Sequence, residues 1–331
     1  MSDKADFRGT PRFLCLDLRG HPFRPAKMPP AHVALCLGNF DGVHAAHAAL
    51  LREGVALARS LSRSRGKDVA CGVLAFFRPS SDFFPHGGAP AGHLTTLREK
   101  LCLFAALGVE YAYLCDFSDV RSMSAEDFMT RLETDLGCVG AVCGFNHRFG
   151  AGAVGHPTML TDHFGENAVI IVPEITVDGV TVSSTNVRAA LLRGDATLAA
   201  RLLGRPYALT ATVTSGKRLG RTIGFPTANQ RFPAHSVIPA HGVYVARCHT
   251  PDGVFPAVAN VGSHPTVDMG AEVNCESYIL GYEGDLYGCR MRTELLAYLR
   301  PEKRFSDVSA LREAIARDAE AAERYISPHH V

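Results

Sequence analysis

Gly220-Arg221-Thr222-Ile223-Gly224-Phe225-Pro226-Thr227-Ala228-Asn229 places two glycines, a cation, a proline and two oxygen-bearing side chains within ten residues. A segment so built cannot be a helix, because proline removes a backbone donor and glycine costs conformational entropy. Glycines let backbone N–H groups approach a phosphate closely, and a Thr hydroxyl beside an Asn amide oxygen supplies the hard ligands Mg2+ prefers. Upstream, Tyr207, Leu209, Ala211 and Val213 alternate with Ala208, Thr210, Thr212 and Thr214, the period-two pattern of a half-buried antiparallel strand. More strand patterns follow at Val243–Cys248, Val254–Val261, Cys275–Tyr282 and Met291–Leu299, separated by Gly, Pro and Asp. Short strands with turn signals between them predict a small antiparallel barrel or sandwich. An amphipathic helix over Val308–Tyr325 closes the chain.

The first half reads differently. Strand patterns at Val33–Leu37, Val69–Phe76, Tyr111–Cys115, Gly140–Phe145 and Ala168–Val172 alternate with helix patterns at Ala45–Ala58, Thr96–Leu107 and Ser124–Leu136. Thr96 and Glu99 have the spacing of a capping box. This order predicts a doubly wound parallel sheet with its ligand site at the carboxyl ends of the strands. The expected division is an N-terminal extension (1–30), a Rossmann-like domain (31–182), a helical connector (183–204) and the barrel (205–331).

The 331 residues exceed what one core usually serves. Charged residues make up 20% and apolar ones 47%, as in ordinary globular proteins. A formal net charge of +1 argues against nucleic acid or an anionic membrane as the partner, so phosphate handling must be local. Ten cysteines are scattered without Cys-x-x-Cys or zinc spacing, as small core hydrophobes are. With no secretory signal and no apolar run of spanning length in the sequence, cytoplasm is the expected compartment. No motif addresses the oligomeric state.

At the first strand's end, Gly38-Asn39-Phe40-Asp41-Gly42-Val43-His44-Ala45-Ala46-His47 leads into a helix. Two imidazoles three residues apart, beside free N–H groups and the positive end of a helix dipole, can bind nucleotide phosphates and stabilise charge there. On spacing alone, two polar cap residues are a competing reading, and a metal pair is a second, with no nearby Cys, Asp or Glu cluster beyond Asp41 to support it.

The string Gly-Arg-x-x-Gly-Phe-Pro-Thr-Ala-Asn resembles the riboflavin kinase signature. Gly-Asn-Phe-Asp-Gly-Val-His is similar to the adenylyltransferase half of the prokaryotic bifunctional riboflavin kinase/FMN adenylyltransferase family, also called FAD synthetase. Thr95-Thr96-Leu97-Arg98-Glu99-Lys100, Gly144-Phe145-Asn146-His147-Arg148-Phe149-Gly150 and Ser183-Ser184-Thr185-Asn186-Val187-Arg188 resemble further motifs of that half. Ala259-Asn260-Val261-Gly262, Gly284-Asp285-Leu286-Tyr287-Gly288 and Leu299-Arg300-Pro301-Glu302-Lys303-Arg304-Phe305 resemble motifs of the kinase half.

The resemblance implies two steps: riboflavin and ATP give FMN in the C-terminal half, and FMN and ATP give FAD and pyrophosphate in the N-terminal half. It implies Gly38, Asn39, Phe40 and Asp41 at the nucleotide, His44 and His47 on the triphosphate, and Ser184, Thr185 and Arg188 on the leaving pyrophosphate. Asn146 would orient FMN or Mg2+. In the second half, Gly216, Lys217, Gly220, Arg221 and Gly224 would face phosphates, and Thr227 and Asn229 would hold Mg2+ with ATP in a Pro-Thr-Ala-Asn turn. Glu276 would be the general base, with Arg300 and Phe305 at the flavin.

Three departures lie in the first half: His44-Ala45-Ala46-His47 where the family has His-x-Gly-His, Arg78-Pro79-Ser80 where it has Pro-His-Pro, and His147 after Asn146 where a Phe is common. The first two motivate a rival reading, a riboflavin kinase with a structural or regulatory N-terminal domain.

Overall fold

The computed structural model describes residues 13–20, 22–77, 92–216, 220, 223–265 and 271–327. The chain forms two compact units, Met1–Thr176 and Val177–Val331.

The first unit is built on a sheet of β1 (Leu14–Asp17), β2 (Arg24–Pro25), β3 (Val33–Leu37), β4 (Ala70–Phe76), β5 (Tyr111–Cys115), β6 (Cys138–Gly144) and β7 (Val169–Val172), in the order β2-β1-β5-β4-β3-β6-β7. The strands β5, β4, β3, β6 and β7 are parallel, and β1 adds to β5 antiparallel. Between them run α1 (Ala45–Arg65), α2 (Leu97–Ala106), α3 (Phe117–Val120), α4 (Ala125–Leu136) and α5 (Pro157–Phe164). The expected capping box is present: Thr96 Oγ1 accepts from the Glu99 N–H, and the Glu99 carboxylate accepts from the Thr96 N–H.

Strand alternation divides the apolar side chains between two layers. Ala34 and Cys36 pack with Leu51, Leu57 and Phe104 of α1 and α2. Val33, Leu35 and Leu37 pack with Phe128, Leu132 and Leu160 of α4 and α5. This is the doubly wound arrangement, and strand order reverses between β3 and β6, where such folds bind their ligands.

The second unit begins with the paired β8 (Thr176–Val177, at the junction of the units) and β9 (Val180–Thr181), followed by α6 (Ser184–Leu192) and α7 (Ala196–Leu203). Then β10 (Tyr207–Thr214), β11 (Thr227–Arg231), β12 (Gly242–Thr250), β13 (Gly253–Pro265), β14 (Ala271–Ile279) and β15 (Arg290–Arg300) close a barrel in the order β10-β11-β14-β13-β12-β15. Inside lie Leu209, Gln230, Cys248, Cys275, Ser277 and Thr293, with the Gln230 amide donating to the Ala211 and Met291 carbonyls and accepting from Thr293 Oγ1. The final helix α8 (Val308–Ile326) lays Ala322 and Ile326 on Val243, Val245 and Val258 of the outer wall.

The Pro-Thr-Ala-Asn segment is corrected by the structure. It is a strand and not a turn: Thr227–Arg231 pairs with β14 on one side and β10 on the other. The bend ends before it, at Gly224 with φ 85°. Pro226 precedes the strand, where the absence of its N–H breaks no ladder bond.

Candidate active sites

In the first unit the loop leaving β3 holds an unusual backbone. Phe40 and Val43 adopt positive φ, 50° and 41°, around Gly42 at 78°. For a β-branched residue such as Val43 this is a strained conformation that its surroundings must enforce. Phe40 is fully buried, its ring edge-on to Phe104 at 5.4 Å between centroids. The buried Asp41 carboxylate accepts from the Leu94 N–H at 3.1 and 3.3 Å, and Gly42 N–H donates to Thr95 Oγ1 at 3.1 Å. The side chains of Phe40 and Asp41, expected at the nucleotide, thus shape the loop from within. Asn39 beside them is exposed.

His44 caps α1. Its Nδ1 accepts from the His47 N–H at 3.3 Å, and the two rings stack at 3.6 Å and 12°. The His47 Nδ1 is buried without a hydrogen-bond partner among the described residues. Burial, then the nearby His44 and Lys100, hold the His47 imidazole well below its ordinary range. Lys100 is itself buried, and desolvation lowers its ammonium against the opposing pull of Asp41. Sequence reasoning did not single out Lys100, although it ends the quoted Thr-Thr-x-x-Glu-Lys segment.

Leu37 is paired with Cys143, so the residues after β6 emerge beside those after β3. Asn146 lies exposed there. His147 next to it has Nε2 buried and unpartnered among the described residues, and burial, then the charge of Arg148, pull its imidazole down to about 4.

In the second unit, Ser183 caps α6, its Oγ accepting from the Asn186 N–H at 3.2 Å. Ser184 and Thr185 open that helix and Arg188 follows one turn later. Lys217 and Arg221 lie outside the described residues. So do Arg78, Pro79 and Ser80, where the sequence departs from the family pattern.

On the barrel, cross-strand register builds the site. Asn229 is directly opposite Glu276, Glu276 opposite Asn260, and Asn260 opposite Val243, which faces Arg300. Directly opposed residues share a face, with Cβ atoms about 4.5–5.5 Å apart. Their sequence neighbours Gln230, Cys275 and Val261 are fully buried inside the barrel, so this row stands on its outer wall. Thr227 lies on the same face, opposite Tyr278, whose ring meets Phe225 edge-on at 5.1 Å.

Gly216 presses on this row: a Cβ there would come within 2.6–2.8 Å of the Asn229 amide atoms. At Gly220 a Cβ would collide with the Phe225 carbonyl and reach within 3.5 Å of Thr227 Oγ1. Both glycines therefore let the chain ahead of β11 lie flush against the two side chains expected to hold a metal.

Arg300 has a partner that the sequence did not reveal. Its guanidinium donates through Nε and Nη2 to both carboxylate oxygens of Asp318 in α8, with a shortest contact of 2.7 Å, and stands 5.7 Å from the Phe305 ring centre. It clamps the last helix to the barrel. The whole Arg300–Phe305 stretch is still brought to the site, because the Asn260 amide donates to the Glu302 carboxylate at 2.9 Å.

A doubly wound sheet carrying a stacked histidine pair at its reversal point, followed by a closed barrel with an acid opposed to an amide, defines a nucleotidyltransferase joined to a small-molecule kinase. The FAD synthetase family matches residues 27–186 and the riboflavin kinase family residues 203–326. Curated relatives are the bifunctional riboflavin kinase/FMN adenylyltransferases of Escherichia coli K12 (36% identical, 91% of this chain and 95% of that one), Pseudomonas fluorescens (35%, 88% and 92%) and Bacillus subtilis (30%, 93% and 96%). The chain belongs to the bifunctional riboflavin kinase/FMN adenylyltransferase family. A solved structure described as a macrolide-efflux protein from Streptococcus pneumoniae superposes over 90% of this chain and 96% of its own, with TM-score 0.79 and 28% identity. Among the described residues of the present chain, no helix is long and apolar enough to cross a membrane.

Proposed function

We propose that the barrel unit transfers the γ-phosphoryl group of ATP to the ribityl 5′-hydroxyl of riboflavin, and that the sheet unit transfers AMP from a second ATP to the FMN so formed. The observation that carries this reading is the opposition of Asn229 and Glu276 on one face. Glu276 accepts the hydroxyl proton as the oxygen attacks, and the glycine-bearing segment from Gly216 to Gly224 receives the phosphates with its backbone donors.

The oxygens of Thr227 and Asn229 fit Mg2+, a hard cation, and the bare Cα of Gly216 lets the Asn229 amide sit where any side chain at 216 would collide with it. When bound with ATP, Mg2+ would neutralise phosphate charge and orient the transferred group.

In the sheet unit an FMN phosphate oxygen attacks the α-phosphorus of ATP and pyrophosphate leaves. His44 fixes the start of α1, and His47, held neutral, hydrogen-bonds the triphosphate without a charge of its own. The nitrogens of His47 and His147 that have no partner among the described residues stand after β3 and β6, where the fold presents its ligand. Asn146 orients FMN. The compartment consistent with these small-molecule substrates is the cytoplasm.

Incubating the protein with riboflavin, ATP and Mg2+ and separating the flavins tests the reading. FMN and FAD are expected, FMN alone would support the kinase-only rival, and unchanged riboflavin would overturn both. Glu276→Gln is expected to abolish FMN formation with ADP binding nearly unchanged; full activity in that variant removes Glu276 from the role of base.

A further inference from the structure

Asn260 follows Glu276 in the cross-strand row, one strand further from Asn229. Its amide Nδ2 donates to Glu302 Oε1 at 2.9 Å across 42 residues of sequence. The Glu302 carboxylate lies flat on β13 over Gly262, where a Cβ would collide with Oε1 and come within 2.8 Å of Oε2. His241 Nδ1 is 3.9 Å from that second oxygen. The carboxylate is thus seated on an amide and on a residue without a side chain, with an imidazole at its far edge.

Glu302 belongs to the stretch that follows β15, and Phe305 stands three residues on, with the Lys303 ammonium 5.3 Å from its ring centre. Among the described residues this stretch is tied to the rest of the barrel unit through its charged side chains by Arg300 to Asp318 and by Glu302 to Asn260, with His241 3.9 Å from the second Glu302 oxygen. The first fixes it to α8. The second fixes it to the strand beside Glu276.

We propose that Asn260 and Glu302 are positioning residues of the kinase reaction, which hold the Glu302–Phe305 stretch as a wall of the riboflavin site at a fixed distance from Glu276. The inference rests on the assignment of Glu276 as base. Neither residue touches phosphate or metal in this scheme, so their loss acts on the flavin and spares ATP. A charge-assisted hydrogen bond orders a segment that must otherwise be ordered by the substrate itself, and the cost then falls on substrate binding.

The test uses the full chain and three variants, Asn260→Ala, Gly262→Ala and Glu302→Gln. Asn260→Ala removes the donor. Gly262→Ala leaves Asn260 in place and displaces only the flexible end of Glu302, so the barrel should fold unchanged. Glu302→Gln keeps an acceptor oxygen without its charge. Steady-state FMN formation should show the riboflavin KM raised about tenfold in the first two variants, as expected for one lost charge-assisted hydrogen bond. The ATP KM should stay within about twofold, and Glu302→Gln should fall between wild type and Asn260→Ala. Riboflavin KM unchanged in both Asn260→Ala and Gly262→Ala overturns the proposal, as does an equal rise for ATP. If instead Glu276→Gln retains activity, the assignment of the base has failed and not the tether.

Discussion

Asn229 and Glu276 occupy directly opposed positions on β11 and β14, and both project from the outer wall of the barrel. Substituting them should produce two different defects. Asn229→Ala should raise the Mg2+ concentration needed for half-maximal FMN formation, while Glu276→Gln should lower kcat by about 10²–10⁴ without moving that requirement. A metal titration of both variants checks this. Identical metal curves for Asn229→Ala and wild type would take Asn229 out of the metal shell.

Gly216→Ala offers a second check, because the new Cβ would stand 2.6–2.8 Å from the Asn229 amide. If Asn229 holds the metal as proposed, displacing it by about 1 Å should cost on the order of 10²-fold in rate. The kcat/KM for ATP should therefore collapse while the melting temperature shifts by only about 2 °C, the behaviour of a surface substitution. Activity near wild type would show that the contact yields without consequence.

The two steps should be separable in the first unit alone. His47→Ala removes the imidazole stacked on His44 and should slow FMN conversion to FAD by about a hundredfold or more, with riboflavin phosphorylation unaffected. Flavins separated after incubation with FMN, and separately with riboflavin, report both rates. Undiminished FAD formation would leave His47 a capping neighbour and nothing more.

The Arg300–Asp318 pair has side chains 25% and 11% exposed, so removing one partner strands a poorly solvated charge. Asp318→Ala should destabilise the barrel unit by about 2 kcal/mol, below the value for a fully buried pair because water reaches the guanidinium. Urea unfolding provides the measurement. An unchanged midpoint would show that the pair does not fasten α8.

Acid should weaken the first unit through its imidazoles. In the unfolded chain His147 protonates near pH 6.5, whereas in the folded unit it resists protonation down to about 4. Between those values the unfolded state binds more protons, so stability is lost as pH falls through that window, and His47 adds to it with the same sign. His147→Gln should recover on the order of 2 kcal/mol of the loss at pH 4.5. Parallel stability-versus-pH curves for variant and wild type would show that His147 is solvated in the folded unit.

What the sequence disclosed was whatever repeats over short distances. The five parallel strands, the capping box at Thr96 and Glu99, and the alternation of Tyr207–Thr214 are local patterns, and they stand where the periodicity puts them. The β1 strand left no pattern to read, because four residues ended by an exposed Asp17–Arg19 ion pair give little alternation to detect. The helix α5 is eight residues long and begins at a proline, too short for a period of 3.6 to declare itself. The Pro-Thr-Ala-Asn stretch reads as a bend from its composition, yet neighbours on both sides draw it straight. Long-range partnerships left the weakest trace. Nothing local links Arg300 to Asp318, Glu302 to Asn260, or Lys100 to Asp41, since each depends on which elements meet in space.

The barrel's alternation also separates two kinds of constraint along a single strand. Ala228, Gln230, Cys275 and Ser277 face inward and Thr227, Asn229, Glu276 and Tyr278 outward. Odd and even codons of the same gene segment therefore answer to different demands, one set to interior volume and the other to chemistry. Libraries meant to broaden the range of accepted flavin analogues can vary the outward codons beside the row while leaving the inward ones untouched, so that selection for a new substrate need not be a selection against folding.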